Sequence, residues 1–365
     1  MDLSLSKEEE MLKRAAREFC KRNCSKSLVQ EMERNEKGYS PELWGEMAKL
    51  GWLGWCFPEE YGGLGQSFIG LIVLIEEFGR ALMPSPFFST VILSGLSILD
   101  IGSDVQKREY LPKIASGEAI LTLALTEPSA GYDATSVRLK ATADKDAYVL
   151  NGTKLFVPDA HIADYMLVVA RTDEKSKAEQ GITIFIVDAK TPGISCHLLK
   201  TIAGDKLCKV NFDRVKVPQE NILGKLDNGW GQVQKIIERA AVAKCCEVVG
   251  AMQQVLEMTV DYAKTRVQFG RPIGSFQAIQ HHCANMAIDV DSSRFITYRA
   301  AWMLSRGIAG TKEAAMAKAW TSSAYRRIAL LSHQVHGAMG FTMHHDLQFY
   351  TRRAKAAEVS FGDAS

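Results

Sequence analysis

Two glutamates in one apolar stretch are candidates for handling a proton. Glu247 lies in Ala-Lys-Cys-Cys-Glu-Val-Val-Gly250, between Cys245, Cys246, Val248 and Val249. Burial among such neighbours raises a carboxylate's proton affinity toward the range useful to a general base. The competing reading is a surface ion pair with Lys244, three positions back on the same helical face. Glu238 comes nine residues earlier, about two and a half turns at roughly 3.6 residues per turn, so the two glutamates point to opposite sides. Further on, Arg266 and Gln277 flank Val-Gln-Phe-Gly-Arg-Pro-Ile-Gly274. Arginine's planar fork suits phosphate oxygens; the plainer alternative is two polar residues at a helix corner. His333-x-x-His336 would set two imidazoles on one helical face, yet no third ligand accompanies them. The eight cysteines show neither a Cys-x-x-Cys pair nor His/Cys metal spacing. No metal site is expected.

The element that must carry the glutamates is one long helix. From Gln232 to Arg266 there is no proline and only one glycine, Gly250. Gly270 and Pro272 form a helix stop, because glycine accepts a left-handed cap and proline cannot continue the ladder. Ser275 is predicted to cap the next helix, with Gln277 in its first turn. Residues 1–118 read as an N-terminal helical domain. Ser6 with Glu9 forms a capping box; Leu12, Ala15, Ala16 and Phe19 give one apolar stripe, and Leu43, Met47, Leu50 and Leu53 another. Phe57-Pro-Glu-Glu-Tyr-Gly-Gly-Leu-Gly65 is a turn-rich loop between helices. Residues 119–226 show short β patterns separated by Gly, Pro and Asp turns, which predicts a small antiparallel barrel or sandwich. Residues 227–365 read as a helical bundle of four helices. The fold class is mainly α with a central β domain.

Composition narrows the function. The 365 residues are 47 % hydrophobic, enough for real cores. A net charge of +2 without a Lys/Arg stripe argues against a nucleic-acid partner. No apolar run reaches the roughly 20 residues of a membrane span, and the acidic start lacks the apolar core of a signal peptide. Cysteines inside apolar helical runs behave as small hydrophobes, which fits a reducing cytoplasm.

Tyr262-Ala-Lys-Thr-Arg-Val-Gln-Phe-Gly-Arg-Pro-Ile-Gly-Ser-Phe-Gln277 resembles the signature of the acyl-CoA dehydrogenase family. The Pro58-to-Gly65 loop, Leu121-Thr-Leu-Ala-Leu-Thr-Glu-Pro-Ser-Ala-Gly131, Asn151-Gly-Thr-Lys-Leu-Phe-Val-Pro158, Phe212-to-Gly224 and Gln334-Val-His-Gly-Ala-Met-Gly340 follow in the family's order. The resemblance covers nearly the whole chain. It implies removal of two hydrogens from the α and β carbons of an acyl-CoA thioester, with FAD as cofactor and an electron-transferring flavoprotein as acceptor. A carboxylate takes the α proton and the β hydrogen leaves as hydride to the flavin, which carries the hard chemistry. By the same resemblance, Leu123, Leu125, Thr126, Gly131 and Tyr132 line the flavin, Phe156 covers one of its faces, and Pro158 sits near its N5. Arg266, Phe269 and Gln277, with Gln334, Gly337 and Ala338, reach the pyrophosphate and adenine half in a neighbouring subunit. At least a dimer follows, either a homodimer, a homotetramer or a heterotetramer with a related subunit.

Several positions depart from the family pattern. Pro158 replaces a Thr or Ser and brings neither hydroxyl nor N–H; Ala338 replaces a glycine. The frame that ends Tyr-Glu-Gly-Thr in the best-known relatives reads Ser360-Phe-Gly-Asp363 here, and a phenyl ring cannot accept a proton. The resemblance therefore moves the base to the long helix: Glu247, with Glu238 and Asp363 as alternatives. Relatives usually continue through another helix, so a C-terminal tail is expected beyond this sequence. Two other readings stay open: a half-site subunit of a heteromeric dehydrogenase, and a flavin oxidase or monooxygenase on the same scaffold.

Overall fold

The computed structural model describes residues 5–129, 131–173 and 175–362. The chain divides into two compact units. One gathers the described residues up to Glu31, Ser67–Met83 and those from Glu238 onward; the other gathers Met32–Gln66 and Pro84–Ile237.

Six α-helices precede the long one: α1 (Lys7–Asn23), α2 (Lys26–Arg34), α3 (Pro41–Lys49), α4 (Phe68–Ala81), α5 (Leu96–Ile101) and α6 (Asp104–Ala115) among the described residues. The first unit is mainly helical. Helix α1 (Lys7–Asn23) opens with the expected capping box, Ser6 and Glu9 each bonding the other's backbone N–H. Leu12, Ala16, Phe19 and Cys20 are its buried face, while Ala15 is exposed. Helix α4 (Phe68–Ala81) is buried along most of its length, so its two acidic residues need partners. Glu76 accepts from Lys13 Nζ at 3.0 Å and from the Tyr298 hydroxyl at 2.7 Å. Burial pushes the Glu76 carboxyl up, but Lys13, Arg294 and Tyr298 together hold it below the usual carboxylate range. Glu77 takes two bonds from Arg17, at 3.0 and 2.8 Å.

Helices α7 (Trp230–Thr265), α8 (Gln277–Ser305), α9 (Thr311–His336) and α10 (Leu347–Val359) supply the C-terminal helices. Val248, Val249, Met252, Val255, Met286, Ile328 and Tyr350 are among the side chains of their shared core. Between α7 and α8 the chain makes a two-strand hairpin, Val267–Gln268 against Arg271–Pro272. Its turn is built on Phe269 (φ 54°) and Gly270 (φ 78°), both left-handed as a tight hairpin turn demands. The predicted Ser275 cap is corrected. The N-cap is Phe276, because a 3₁₀ turn over Ile273–Ser275 aims the Ser275 hydroxyl back at the Pro272 carbonyl, 2.7 Å away.

The second unit holds the β domain, with strands β1 (Leu121–Ala124), β2 (Lys140–Asp144), β3 (Ala147–Pro158), β4 (Tyr165–Arg171), β5 (Ile182–Asp188), β6 (Ile194–Leu198), β7 (Leu207–Pro218) and β8 (Ile222–Leu223). They form one sheet in the order β6-β7-β3-β2-β4-β5-β8, with β1 beside β4. The expected small β domain is present, and its sheet is mixed rather than wholly antiparallel. β1 runs parallel to β4, and β2 meets β4 in parallel at one point. The β2–β3 hairpin between β1 and β4 in sequence acts as the crossover that a parallel pair requires. Val168, Phe185, Val210, Phe212 and Val215 lie in the core of this domain. A π-helical segment, Phe88–Gly95, pins the start of β1: the Thr90 hydroxyl donates to the Leu121 carbonyl and accepts its N–H, each at 3.2 Å.

Candidate active site

In the β domain, the structure brings the ends of β1 and β3 together. The Thr122 hydroxyl donates to the Pro158 carbonyl at 2.5 Å, and the Leu155 N–H donates to the Thr126 carbonyl at 2.8 Å. Leu123 and Leu125 are buried; Thr126, Gly131, Tyr132 and Pro158 are half-buried. Phe156 sits where the β3–β7 register shifts between Lys154 and Val157. Its φ of 53° is unusual for an aromatic residue and signals local strain. The bulge leaves the ring 51 % exposed.

Sequence reasoning passed over the two residues that hold this corner. Lys154 is fully buried; its Nζ donates to the Leu125 carbonyl at 2.9 Å and lies 2.7 Å from Glu127 Oε1. Glu127 also accepts the N–H groups of Arg138 and Leu139 at 3.0 and 2.9 Å. Burial pushes the Lys154 ammonium down to about 8, against the pull of Glu127. The signal was in the sequence: an ammonium in an apolar strand needs an anion within reach.

In the helical unit, Glu247 stands where α7 crosses α4. A Cβ on Gly79 would lie 1.9 Å from the Glu247 carbonyl oxygen, and a Cβ on Gly250 would lie 1.8 Å from the Glu76 carbonyl oxygen. Only glycine allows backbones so close. The Glu247 carboxylate meets Lys244 Nζ at 2.7 Å, with side chains 33 % and 19 % exposed, so the ion pair of the competing reading does form. Glu238 accepts from the Thr311 hydroxyl at 2.8 Å, at the start of α9. Asp363 lies outside the described residues; Phe361, two positions before it, adopts a φ of 57°.

The third group is the corner after α7. Arg266, Phe269 and Gln277 are exposed, Phe269 to 89 %. Gln334, Gly337 and Ala338 are exposed at the end of α9. These two segments are adjacent in space. Tyr262, one turn before Arg266, stacks on His336 at 4.5 Å between ring centroids, and His333 stacks on Phe341 at 4.6 Å. Glu247 is not part of this corner: 19 positions along the helix separate it from Arg266, roughly 28 Å at 1.5 Å per residue. Among the described residues no cluster of three or more His, Cys, Asp or Glu could hold a metal ion, and no helix is long and apolar enough to cross a membrane.

These segments align with known proteins over the full span. The N-terminal, middle and C-terminal domains of acyl-CoA dehydrogenase match residues 6–118, 122–215 and 227–364. The chain is 33 % identical to an acryloyl-CoA reductase (NADH) of Anaerotignum propionicum, over 99 % of its length and 93 % of that protein. It is likewise 33 % identical to a caffeyl-CoA reductase–Etf complex subunit of Acetobacterium woodii, over 98 % and 95 %. The butyryl-CoA dehydrogenase structure from Megasphaera elsdenii superposes with a TM-score of 0.92 at 30 % identity, covering 100 % of this chain and 97 % of that one. The chain belongs to the acyl-CoA dehydrogenase family. It is an oxidoreductase acting on acyl-CoA, in a family of flavoproteins.

Proposed function

We propose that the chain catalyses FAD-dependent α,β-dehydrogenation of an acyl-CoA thioester to the 2-enoyl-CoA and passes the electrons to an electron-transferring flavoprotein, in the cytoplasm. The observation that carries the reading is Glu247, a carboxylate fixed by backbone contact at the α4–α7 crossing. The residues fit a flavin dinucleotide. Phe156 offers an outward ring on a strained bulge, and Arg266 offers an exposed guanidinium. Gly337 has a φ of 58° and open space where a Cβ would stand, so backbone can approach a phosphate closely. Leu123, Leu125, Thr126, Gly131, Tyr132, Phe156 and Pro158 would hold the flavin end. Arg266, Phe269, Gln277, Gln334, Gly337 and Ala338 of a neighbouring protomer would hold the pyrophosphate and adenine end. The distance along α7 between Glu247 and Arg266 supports that division between two chains.

When bound, FAD supplies the hydride acceptor. Glu247 takes the α proton from the substrate, and the Lys154–Glu127 clip holds the Leu125–Thr126 backbone of the proposed flavin end in place. Adding straight, branched and ring-bearing acyl-CoAs to the purified protein without oxygen tests the proposal. Flavin bleaching by at least one of them is expected. Glu247→Gln should slow it about 10²–10⁴-fold with FAD retained; full activity in that variant would transfer the role to Glu238 or Asp363. A second reading, a half-site subunit of a heteromeric enzyme, draws on Pro158, whose only polar backbone atom is already bonded to Thr122. Bleaching that requires a second, related polypeptide would favour it.

A further inference from the structure

Lys244, the partner of Glu247, borders a group of side chains that the proposed reaction has not yet used. Lys244, Val248, Lys318, Tyr325 and Glu358 line one small cavity, with α7, α9 and α10 each contributing. Tyr325 is fully buried, and its hydroxyl makes no hydrogen bond among the described residues. Buried hydroxyls almost always find a partner, which makes this phenol, on the same cavity as the Lys244 and Lys318 side chains, an exception. The Lys318 ammonium donates to the Ser322 hydroxyl at 2.8 Å and to the Ala357 and Glu358 carbonyls at 3.0 Å, closing the end of α10. The Thr321 hydroxyl bonds Cys245 Sγ at 3.1 Å, fastening α9 to the same turn of α7.

We propose that Lys244 is a positioning residue for Glu247: its ammonium, 2.7 Å away, aims the carboxylate that accepts the α proton, and Lys244 itself shares a small cavity with Tyr325 and Lys318. This rests on the reading of Glu247 as the base. The geometry is specific, since a contact of 2.7 Å at one-third exposure or less is neither a loose surface pair nor a sealed one. Charged and titratable groups around the pair include Cys245 and Cys246 on α7, Lys318 and Tyr325 from α9, and Glu358, Arg353 and Tyr350 from α10. Helix α4 presents its Gly79 backbone to Glu247. Burial raises the Tyr325 phenol well above its ordinary range, with Tyr350 and Glu247 adding to it, so this group stays neutral.

The test compares Lys244→Gln, Lys244→Arg and Glu247→Gln in the flavin-loaded oligomer. Lys244→Gln should lower kcat roughly ten- to hundredfold, the size expected when a reacting group is misplaced by about 1 Å, with KM for acyl-CoA within about twofold. Lys244→Arg, which keeps the charge, should retain most of the wild-type kcat. A Lys244→Gln enzyme with a kcat within about twofold of the wild type would overturn the inference, provided Glu247→Gln is slowed as expected; a fully active Glu247→Gln would overturn the base reading instead. Lys244→Met, which keeps the apolar stem, is the companion variant if Gln disturbs the helix, and the same outcomes decide it.

Discussion

Two lysine–glutamate pairs in this protein have the same length and opposite surroundings. Lys154–Glu127 and Lys244–Glu247 both close to 2.7 Å, but the first is 0 % and 6 % exposed and the second 19 % and 33 %. The buried carboxylate is saturated by two backbone N–H groups besides its lysine. It fixes chain and has no oxygen to offer a substrate. The half-exposed pair is anchored through its backbone, at Gly79 and Gly250, which leaves the side chains available for chemistry. Equal distances therefore say little about role; what else each oxygen touches decides it.

The largest effect is expected where that difference is broken outright. Lys154→Ala strands a buried carboxylate and should destabilise the protein by about 3–5 kcal/mol, measured by denaturant unfolding. Replacing both partners, Lys154→Met with Glu127→Leu, should not recover it, because the Arg138 and Leu139 N–H groups then lose their acceptor.

Asp159 shows burial with neither a lysine nor an arginine among the groups that set its charge state; His161 is the one basic neighbour, and burial outweighs it. Burial pushes its carboxyl up to about 6, although the Ser89 hydroxyl, 2.5 Å away, pulls the other way. Since the folded value exceeds the unfolded one, this group's stabilising contribution is present below about pH 4 and lost as pH rises through 6. Asp159→Asn should therefore gain on the wild type with rising pH, by roughly 3 kcal/mol at most above pH 7. The left-handed φ of 54° suits asparagine. Thermal unfolding from pH 4 to 8 reads the crossover, and a constant difference between the two proteins would contradict it.

Gly250→Ala attacks the backbone anchor of the half-exposed pair. The added methyl would need the Glu76 carbonyl to move, and overpacking of this kind costs about 1–3 kcal/mol. A fall in flavin bleaching larger than the stability loss explains would locate Glu247 at that crossing. The smallest effect belongs to Lys244→Gln on stability, within about 1 kcal/mol as for other partly exposed pairs. A loss comparable to that of Lys154→Ala would erase the contrast.

Much of this was legible in the sequence. The long helix of Glu247, the Ser6–Glu9 box and the β segment announced themselves through period, capping residues and turn chemistry. Ser275 misled because a serine before a helix reads as a cap, whereas the 3₁₀ turn had already committed its hydroxyl to Pro272. The parallel β1–β4 pair was hidden because strand direction depends on the intervening hairpin and leaves no mark in local pattern. Lys154 in an apolar strand called for an anion, but nothing in the sequence singles out Glu127, 27 positions away, as that anion. Glu247 was visible as a carboxylate among apolar neighbours; its ion pair and its glycine-lined crossing were not separable from sequence, since both follow from which face α4 meets.

The glycine crossing also bears on how this scaffold tolerates change. Because α4 and α7 meet main chain to main chain at Gly79 and Gly250, the depth at which the proposed proton acceptor sits is not set there by a side chain that can be trimmed or enlarged. Helix sliding would jam a side chain against a carbonyl. Altering which acyl groups are admitted must therefore be sought on walls other than this one.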